Sequence, residues 1–318
     1  SLLDYNPQLT SLLCDMLVLS PQICDRLRRY PALFDLLLYR AFFAPIEEPD
    51  SLKKLFHEKI AKLSVELALD QIKILVRELK FRAQVQTLSF ATGTDQLEAS
   101  LTAIAEAAID SVLILARSDM VRRYGEIDAE ISIVALGRLG VKQLTAGSDL
   151  DLLIIYDADP DVFSKGQSKL PAASYVLRLA QTLVSWISTP TAEGTLYDVD
   201  LRLRPEGQAG AVATSINRLA TYFDRDAWIW EKQALTKARP IAGDTGLSDK
   251  IQKLINSIVN HNHPKDCLVT AISDMRQRIQ KQKKPASQWH LRQIVGGLTD
   301  IDLLIQAWRL QYGTLFSG

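Results

Sequence analysis

The sequence predicts an α+β fold in which a mixed sheet with packed helices lies between two all-helical regions. Apolar residues recur at helical spacing through residues 51–125, and helical spacing returns after residue 245. Between these stretches, short apolar runs alternate with helical segments and glycine-containing turns. We therefore expect a helical region at 1–128, a sheet-containing core at 129–245, and at 246–318 the start of a longer helical domain.

Length and composition exclude several classes of protein. A chain of 318 residues is long for one compact core. Lys plus Arg and Asp plus Glu number 37 each, so no global field favours nucleic acid or an anionic membrane as a partner. No apolar run approaches the ~20 residues of a membrane span. The chain begins at Ser1 without Met, which indicates a piece of a longer protein.

The three cysteines indicate the compartment. Cys14, Cys24 and Cys267 have neither disulfide nor zinc spacing, which favours a reducing cytoplasm.

The first region is predicted to contain short helices followed by long amphipathic ones. Pro21 fits the first turn of a helix, with the Ser20 hydroxyl as its N-cap. Thr94 opens a segment rich in Ala and Leu that runs to Tyr124, where Gly125 is a suitable C-cap. Side-chain packing accounts for these residues.

The centre of the chain opens with strand, turn and strand at residues 131–157. The first apolar run stops at Gly137, and the second, residues 150–156, is interrupted only by Asp151. Because side chains alternate along a strand, Asp149 and Asp151 face the same way. Their charges repel each other, and a divalent cation between them would remove that cost. Oxygen ligands suit Mg²⁺.

Two surface acids at a solvated strand end are the alternative interpretation of this pair, and for a bare D-x-D we would favour it. Here glycines and a serine precede the acids on a strand–turn–strand frame, which favours the metal site.

A third strand is predicted at residues 195–205 from strict alternation. Asp198, Asp200, Arg202 and Arg204 then share one face. They form either a salt-bridged surface or a metal ligand beside an arginine clamp for a triphosphate, since guanidinium groups match phosphate oxygens.

The remaining segments are predicted to be mostly helical. Residues 171–188 form a helix, and residues 226–240 are either a core helix, an interface or an active-site wall, with equal support. A basic run that includes Arg276 indicates a solvated helix face. Residues 296–302 predict a helix start whose acids lie in the first turn, which the helix dipole favours.

Several of these motifs together resemble the glutamine synthetase adenylyltransferases, a family of polymerase-β-like nucleotidyltransferases. The resemblance covers nearly the whole chain, and its motifs lie at residues 137–140, 145–152, 199–205, 230–239 and 296–301. Full-length members carry two such domains: one removes AMP from glutamine synthetase by phosphorolysis, and the other adds AMP from ATP. The amino-acid sequences of the motifs resemble those of the half that adds AMP. Val295 and Asp302 stand where the family usually has Arg and Glu.

The resemblance implies a mechanism. Asp149, Asp151 and Asp200 would hold two Mg²⁺ ions, and AMP would pass from ATP to a tyrosine hydroxyl of glutamine synthetase with release of pyrophosphate. Asp200 would also help to deprotonate that hydroxyl. The nucleotide-binding candidates are Gly137, Ser148, Arg202 and Arg204. A second group of candidates comprises Gly147, Asp198, Glu231, Lys237 and Arg239.

Partners and rival functions follow from the same resemblance. The implied partners are glutamine synthetase and, through the full-length enzyme, a PII-type signal protein. One rival is the AMP-removing half, and another is a nucleotidyltransferase acting on RNA or a small molecule. Balanced charge argues against RNA. A catalytically silent module that binds glutamine synthetase is the third rival, and three intact acids argue against it.

Overall fold

The computed structural model describes residues 7–89, 92–207, 210–261, 265–282, 287 and 289–313. The described residues form a mixed sheet and many α-helices, which confirms the predicted α+β class. Two compact units share the chain, and each is assembled from separate stretches. The helical unit contains residues up to 119 together with 142–149 and 182–199, and the sheet unit contains the rest. The three-part division at residues 128 and 245 stays a prediction.

The helical unit consists mainly of α-helices of very different lengths. They are α1 (Pro7–Leu19), α2 (Pro21–Arg29), α3 (Leu33–Leu36), α4 (Pro49–Ile60), α5 (Val65–Leu88) and most of α6 (Thr94–Tyr124), with a 3-10 turn at Arg40–Phe43. One buried cluster joins the first helices to α5. Its members are Leu9, Met16, Ile23, Leu33, Leu37, Phe42, Phe81 and Val85.

The start of α2 differs from the prediction. Pro21 does lie in its first turn, but the Ser20 hydroxyl makes no capping hydrogen bond to any described residue. The Ser20 amide still bonds to the Met16 carbonyl of α1, and its ψ of 86° lies outside the extended range that is typical of an N-cap residue. At the start of α5, Ser64 has ψ of 159°, and its hydroxyl does accept from the Leu67 amide.

The long helix α6 corrects the expectation that no segment could span a membrane. An apolar window in this helix has a mean hydropathy of 1.7, and length and composition alone would let it cross a bilayer. In the structure, 72% of that window is buried against the protein itself, as in the core helix of a globular domain. The helix ends at Gly125 as predicted: φ is +77°, and its amide bonds to the Val121 carbonyl.

The sheet unit combines five strands with helices. The strands are β1 (Glu130–Ala135), β2 (Leu150–Asp157), β3 (Val199–Asp200), β4 (Ala213–Ser215) and β5 (Arg239–Gly243). The helices are α7 (Gly137–Gly140), α8 (Ala172–Ser188, whose last turns belong to the helical unit), α9 (Ile216–Arg225), α10 (Ile229–Leu235), α11 (Thr245–Val259), α12 (Lys265–Gln282) and α13 (Leu298–Tyr312). The strands predicted at the start and end of 131–157 are therefore confirmed.

The sheet has the order β3–β2–β1–β5, and β4 also pairs with β2. β1 is antiparallel to β2 and β5, whereas β4 is parallel to β2. Ala135 lies opposite Leu152, so the end of β1 meets the beginning of β2. Since β1 pairs along one edge of β2, β3 and β4 occupy its other edge. This register brings the turn after β1 next to the acids at the start of β2.

Helices cover one face of the sheet, and the residues on the opposite face of the central strands are buried as well, so these strands have continuous apolar runs. Val134, Leu136, Leu153 and Ile155 point into this core. The helical residues packed against them include Leu219, Phe223, Leu235, Leu247, Ile251, Ile255, Leu268 and Leu310.

Two sequence predictions in this unit are wrong in part. Only Val199–Asp200 is a strand within residues 195–205. The Arg204 amide bonds to the Leu201 carbonyl and the Gly207 amide to the Arg204 carbonyl, so the chain turns on itself after β3. Residues 226–240 do not form one helix either, because α10 ends at Leu235 and Arg239 enters the sheet opposite Ala135.

Candidate metal and nucleotide site

Three carboxylates meet at the edge of the sheet where β2 begins. Asp149 directly precedes β2, Asp151 is the second residue of that strand, and Asp200 ends β3 beside it. One carboxylate oxygen from each lies within 4.8 Å of the others. Asp149 is exposed, and Asp151 and Asp200 are half-buried. The structure thus brings together the three acids that the sequence selected.

The donor set fits a magnesium ion. All three ligand groups are carboxylates, and Mg²⁺ prefers oxygen ligands with room left for water or substrate phosphates. Three like charges within one small volume repel each other. A divalent cation bound between them would cancel this repulsion, whereas exposed acids that lie far apart need no such compensation. The partial exposure of the cluster leaves space for a substrate.

Gly137 provides the space beside the second acid. Its φ of +54° is a backbone conformation that L side chains rarely adopt, and a Cβ atom there would lie 2.2 Å from Oδ2 of Asp151. The Leu136 amide bonds to the Asp151 carbonyl at 2.9 Å, which fixes the two segments side by side. A larger residue at this position would displace the carboxylate.

Arg202 holds the third acid in its ionised form. Its Nε donates to Oδ1 and Oδ2 of Asp200 at 3.0 and 2.8 Å, and its backbone amide donates to Oδ1 at 2.8 Å. These hydrogen bonds lower the pKa of Asp200, although partial burial opposes them. The side chain of Asp200 is only 15% exposed, while that of Arg202 is 69% exposed.

Comparison with known proteins shows the family. Residues 10–254 match the sequence model of glutamate-ammonia ligase adenylyltransferase. The chain belongs to this family. A relative from Brucella suis is 35% identical over 309 residues, and one from Rhizobium meliloti is 36% identical over 316 residues. Both are named bifunctional glutamine synthetase adenylyltransferase/adenylyl-removing enzyme. Each match covers 96% of this chain, which spans 31% of the length of the relative.

The other nucleotide-binding candidates of this adenylyltransferase-family chain mainly stabilise turns. Arg204 donates from Nε to the Gly210 carbonyl at 2.9 Å and from Nη1 to the Leu201 carbonyl at 3.1 Å. The Ser148 hydroxyl accepts from the Thr145 amide at 3.1 Å and lies 2.7 Å from the Thr145 hydroxyl oxygen. Both residues therefore shape the backbone next to the acids.

Gly147 and Asp198 are not held in place by close packing or by the carboxylate cluster. A Cβ atom on Gly147 would meet no described atom within 4 Å, so packing does not require glycine there. Asp198 is exposed and does not belong to the carboxylate cluster.

Glu231 stabilises the helical cover of the sheet. It is 5% exposed, and its carboxylate accepts from the Tyr222 hydroxyl and the Trp228 amide, both at 2.8 Å. Burial and the bond to Glu231 raise the pKa of Tyr222 to about 12. Tyr222 has no motif that would have identified it in the sequence as the partner of Glu231.

Arg239 and Lys237 anchor the short helix that follows β1. Arg239 donates to the carbonyls of Gly140 and Leu139, both at 3.1 Å. A Cβ on Gly140 would lie 1.8 Å from the Lys237 carbonyl oxygen, so the two backbones touch. Lys237 itself forms an ion pair of 3.1 Å with Asp302. These contacts hold the glycine turn in place from the side of β5.

The basic run of α12 contains a residue whose role the sequence did not reveal. Arg276 forms an ion pair with Asp300 at the start of α13, and their side chains are only 14% and 20% exposed. The prediction of a solvated face is wrong for Arg276. Asp300 also accepts from the Gly296 amide at 2.6 Å, which agrees with the predicted acid in the first turn.

Proposed function

We propose that this chain transfers AMP from ATP to glutamine synthetase and that its sheet unit is a polymerase-β-like nucleotidyltransferase core. The observation that carries the proposal is the cluster of Asp149, Asp151 and Asp200. Family membership and the names of the relatives support it. In this proposal the acceptor is a tyrosine hydroxyl, as the motif resemblance implies, and the leaving group is pyrophosphate.

The three acids would hold Mg²⁺, most simply as two ions. When bound there, Mg²⁺ would neutralise and orient the phosphates of ATP. Asp200 is better suited to bind Mg²⁺ than to act as a base, because the hydrogen bonds from Arg202 lower its pKa. This refines the expectation that Asp200 deprotonates the acceptor hydroxyl.

The remaining candidates would act on the nucleotide in different ways. Arg202 is largely exposed and can offer its guanidinium edge to phosphate oxygens. Arg204 would act indirectly, since its donors already bind backbone carbonyls of the turn after β3. Gly137 would let the backbone approach the phosphates, and Ser148 would fix the turn that leads into Asp149.

The direction of the reaction is part of the proposal. The amino-acid sequence of residues 145–152 resembles that of the AMP-adding half, whereas the names of the relatives include both activities. The second candidate is therefore phosphorolytic removal of AMP. Glutamine synthetase is the proposed partner in either case. A PII-type regulator and a cytoplasmic location remain predictions, as does the absence of nucleic-acid and membrane partners.

Labelled ATP would test the proposal directly. We expect the chain, incubated with Mg²⁺, unmodified glutamine synthetase and ATP labelled at the α-phosphorus, to label glutamine synthetase and release pyrophosphate. Asp151→Asn and Asp200→Asn should reduce this labelling by orders of magnitude without loss of fold. Asp161→Asn, which changes an exposed loop acid, is the matched control.

Two other results would reject the proposed direction or the proposed site. Phosphate-dependent release of ADP from modified glutamine synthetase, with no labelling in the forward assay, identifies the removing activity. Full labelling by Asp151→Asn shows that the acid cluster is not the catalytic centre.

A further inference from the structure

A stripe of cations on α5 faces the segment that follows α8 within the helical unit. Lys73, Arg77, Lys80 and Gln84 share one face of α5, spaced by one or two helical turns. Lys73 Nζ donates to the Thr189 carbonyl at 3.2 Å and to the Thr191 hydroxyl at 2.9 Å. The next cation also has polar acceptors in this segment.

Arg77 forms an ion pair with Glu193, with Nη2 and Oε2 separated by 2.7 Å. The protein itself therefore provides hydrogen-bond acceptors for Lys73 and Arg77.

Lys80 and Arg26 differ from those two. Lys80 Nζ lies 3.7 Å from the centroid of the Tyr197 ring. Among the described residues, this ring is the partner of the Lys80 ammonium group. Arg26, which reaches the same place from α2, donates to the neutral amide oxygen of Gln84. Neither has a carboxylate partner in the part of the chain that the structure describes. Burial lowers the pKa of both, that of Lys80 to about 7, where the charge of Arg26 contributes.

Tyr197 adds an unused hydrogen-bond donor to these two cations. The residue is 5% exposed, and its hydroxyl oxygen is buried without a hydrogen-bond partner among the described atoms. A buried hydroxyl normally finds an acceptor, because leaving it without one is costly. Burial raises the pKa of the Tyr197 hydroxyl, and the positive charge of Arg26 opposes this effect.

We propose that Arg26, Lys80 and Tyr197 form a binding site for a small oxyanion, either a phosphate group or a carboxylate. Two cations without counter-ions and one donor without an acceptor are compensated together by a single anion with several oxygens. Arg26 and Lys80 are half-buried rather than sealed, so such an anion can enter from solvent. The site uses residues of the helical unit alone and does not depend on the proposed catalysis.

Binding should be measured with simple anions in the absence of Mg²⁺ and nucleotide. We expect inorganic phosphate or acetate, titrated by calorimetry at constant ionic strength against chloride, to bind saturably. Phosphate alone would assign a phosphate group as the ligand, and acetate alone would assign a carboxylate; either supports the site. Binding should also raise the pKa of Lys80, measured from its side-chain nitrogen resonance.

Three variants locate the site. Tyr197→Phe should lower the affinity for the bound anion about tenfold or more, because a hydrogen bond to a charged group is lost. The same variant should be as stable as the wild type or more stable, since it removes the unpartnered hydroxyl. Lys80→Met should lower the affinity at least as much. Lys73→Met is the matched control, because Lys73 already has protein acceptors, and it should change stability but not affinity.

Several outcomes would overturn the proposal. They are the absence of saturable binding of both anions, wild-type affinity in Tyr197→Phe and Lys80→Met, or an equal loss in Lys73→Met, which would indicate general electrostatic attraction. Adenylyl transfer activity is not the readout, so failure of this site and failure of the proposed function remain distinguishable.

Discussion

Gly137 and Asp151 lie so close together that no side chain fits between them: a Cβ atom on Gly137 would be 2.2 Å from Oδ2 of Asp151. The glycine also has a φ of +54°. One residue thus meets two requirements, a left-handed backbone and an open path to the acid cluster.

Gly137→Ala should therefore impair the metal site more than the fold. The left-handed backbone costs about 1–2 kcal/mol for an L residue, and the methyl group must displace the Asp151 carboxylate. We expect this loss of unfolding free energy together with at least a tenfold weaker affinity for Mg²⁺. Urea denaturation and Mg²⁺ titration measure the two effects separately.

Gly147→Ala is the steric control for this experiment, because a Cβ there meets no described atom within 4 Å. It should leave the unfolding free energy nearly unchanged and the Mg²⁺ affinity within a factor of two of the wild-type value. Equal behaviour of the two alanine variants would contradict the steric argument.

Arg202→Met should raise the pKa of Asp200 towards its ordinary value. The hydrogen bond from Arg202 is the largest cause of the low pKa, and the charge of Arg204 is the smallest. A carboxyl group with a depressed folded pKa stabilises the fold above its unfolded pKa of about 3.9, and this contribution disappears as the pH falls through the folded pKa. The stability difference between wild type and Arg202→Met should thus vanish in acid.

Carbon NMR titration of the Asp200 carboxyl, with denaturation at several pH values, tests this. Arg204→Met is the graded control and should shift the pKa less. An unchanged Asp200 titration in Arg202→Met would refute the assigned cause.

Glu231→Ala should destabilise the protein by about 2–4 kcal/mol, since it leaves the Tyr222 hydroxyl and the Trp228 amide without their buried acceptor. Glu231→Gln retains an acceptor oxygen and should lose less. Urea denaturation measures both variants. A Glu231→Ala protein as stable as the wild type would show that these two bonds do not support α10.

Lys80 predicts that the stability of the protein depends on pH in the neutral to alkaline range. Its folded pKa of about 7 lies below the ordinary 10.5, so between these values the unfolded chain binds more protons than the folded one. The unfolding free energy should rise with pH across this range and reach its full value above it. Lys80→Met should remove that rise, as measured by denaturation in buffers free of phosphate and acetate. A slope unchanged in the variant would assign it to another group.

The sequence predicted the central strands well because both faces of β1 and β2 are buried. Burial on both faces produces continuous apolar runs, and Gly137 marks where the first one ends. The pairing of Asp149 with Asp151 was also accessible, because alternation along one strand is a local property.

Asp200 required more than local pattern. Its approach to the other acids depends on β3 lying beside β2, and strand order is not written in either segment alone. Alternation over residues 195–205 predicted too long a strand, because the chain turns directly after Asp200, where the Arg204 amide bonds to the Leu201 carbonyl. The motif resemblance, not the periodicity, identified this acid.

Tertiary partners were the least accessible feature. Arg276 and Asp300 are far apart in sequence, and nothing in the basic run distinguishes Arg276, which is paired, from Arg278, which is exposed. Glu231 belonged to the second group of site candidates, and only the structure shows that its carboxylate accepts from Tyr222 and Trp228.

The interleaving of the two compact units along the chain limits how the protein can be shortened. Residues 1–119, expressed alone, would lack the segments 142–149 and 182–199 that complete the helical unit. Lys73 would lose Thr189 and Thr191, and Thr102 would lose the Leu144 amide that donates to its hydroxyl. A terminal deletion therefore damages the part it is meant to isolate, because the helical unit needs residues up to 119, 142–149 and 182–199 together.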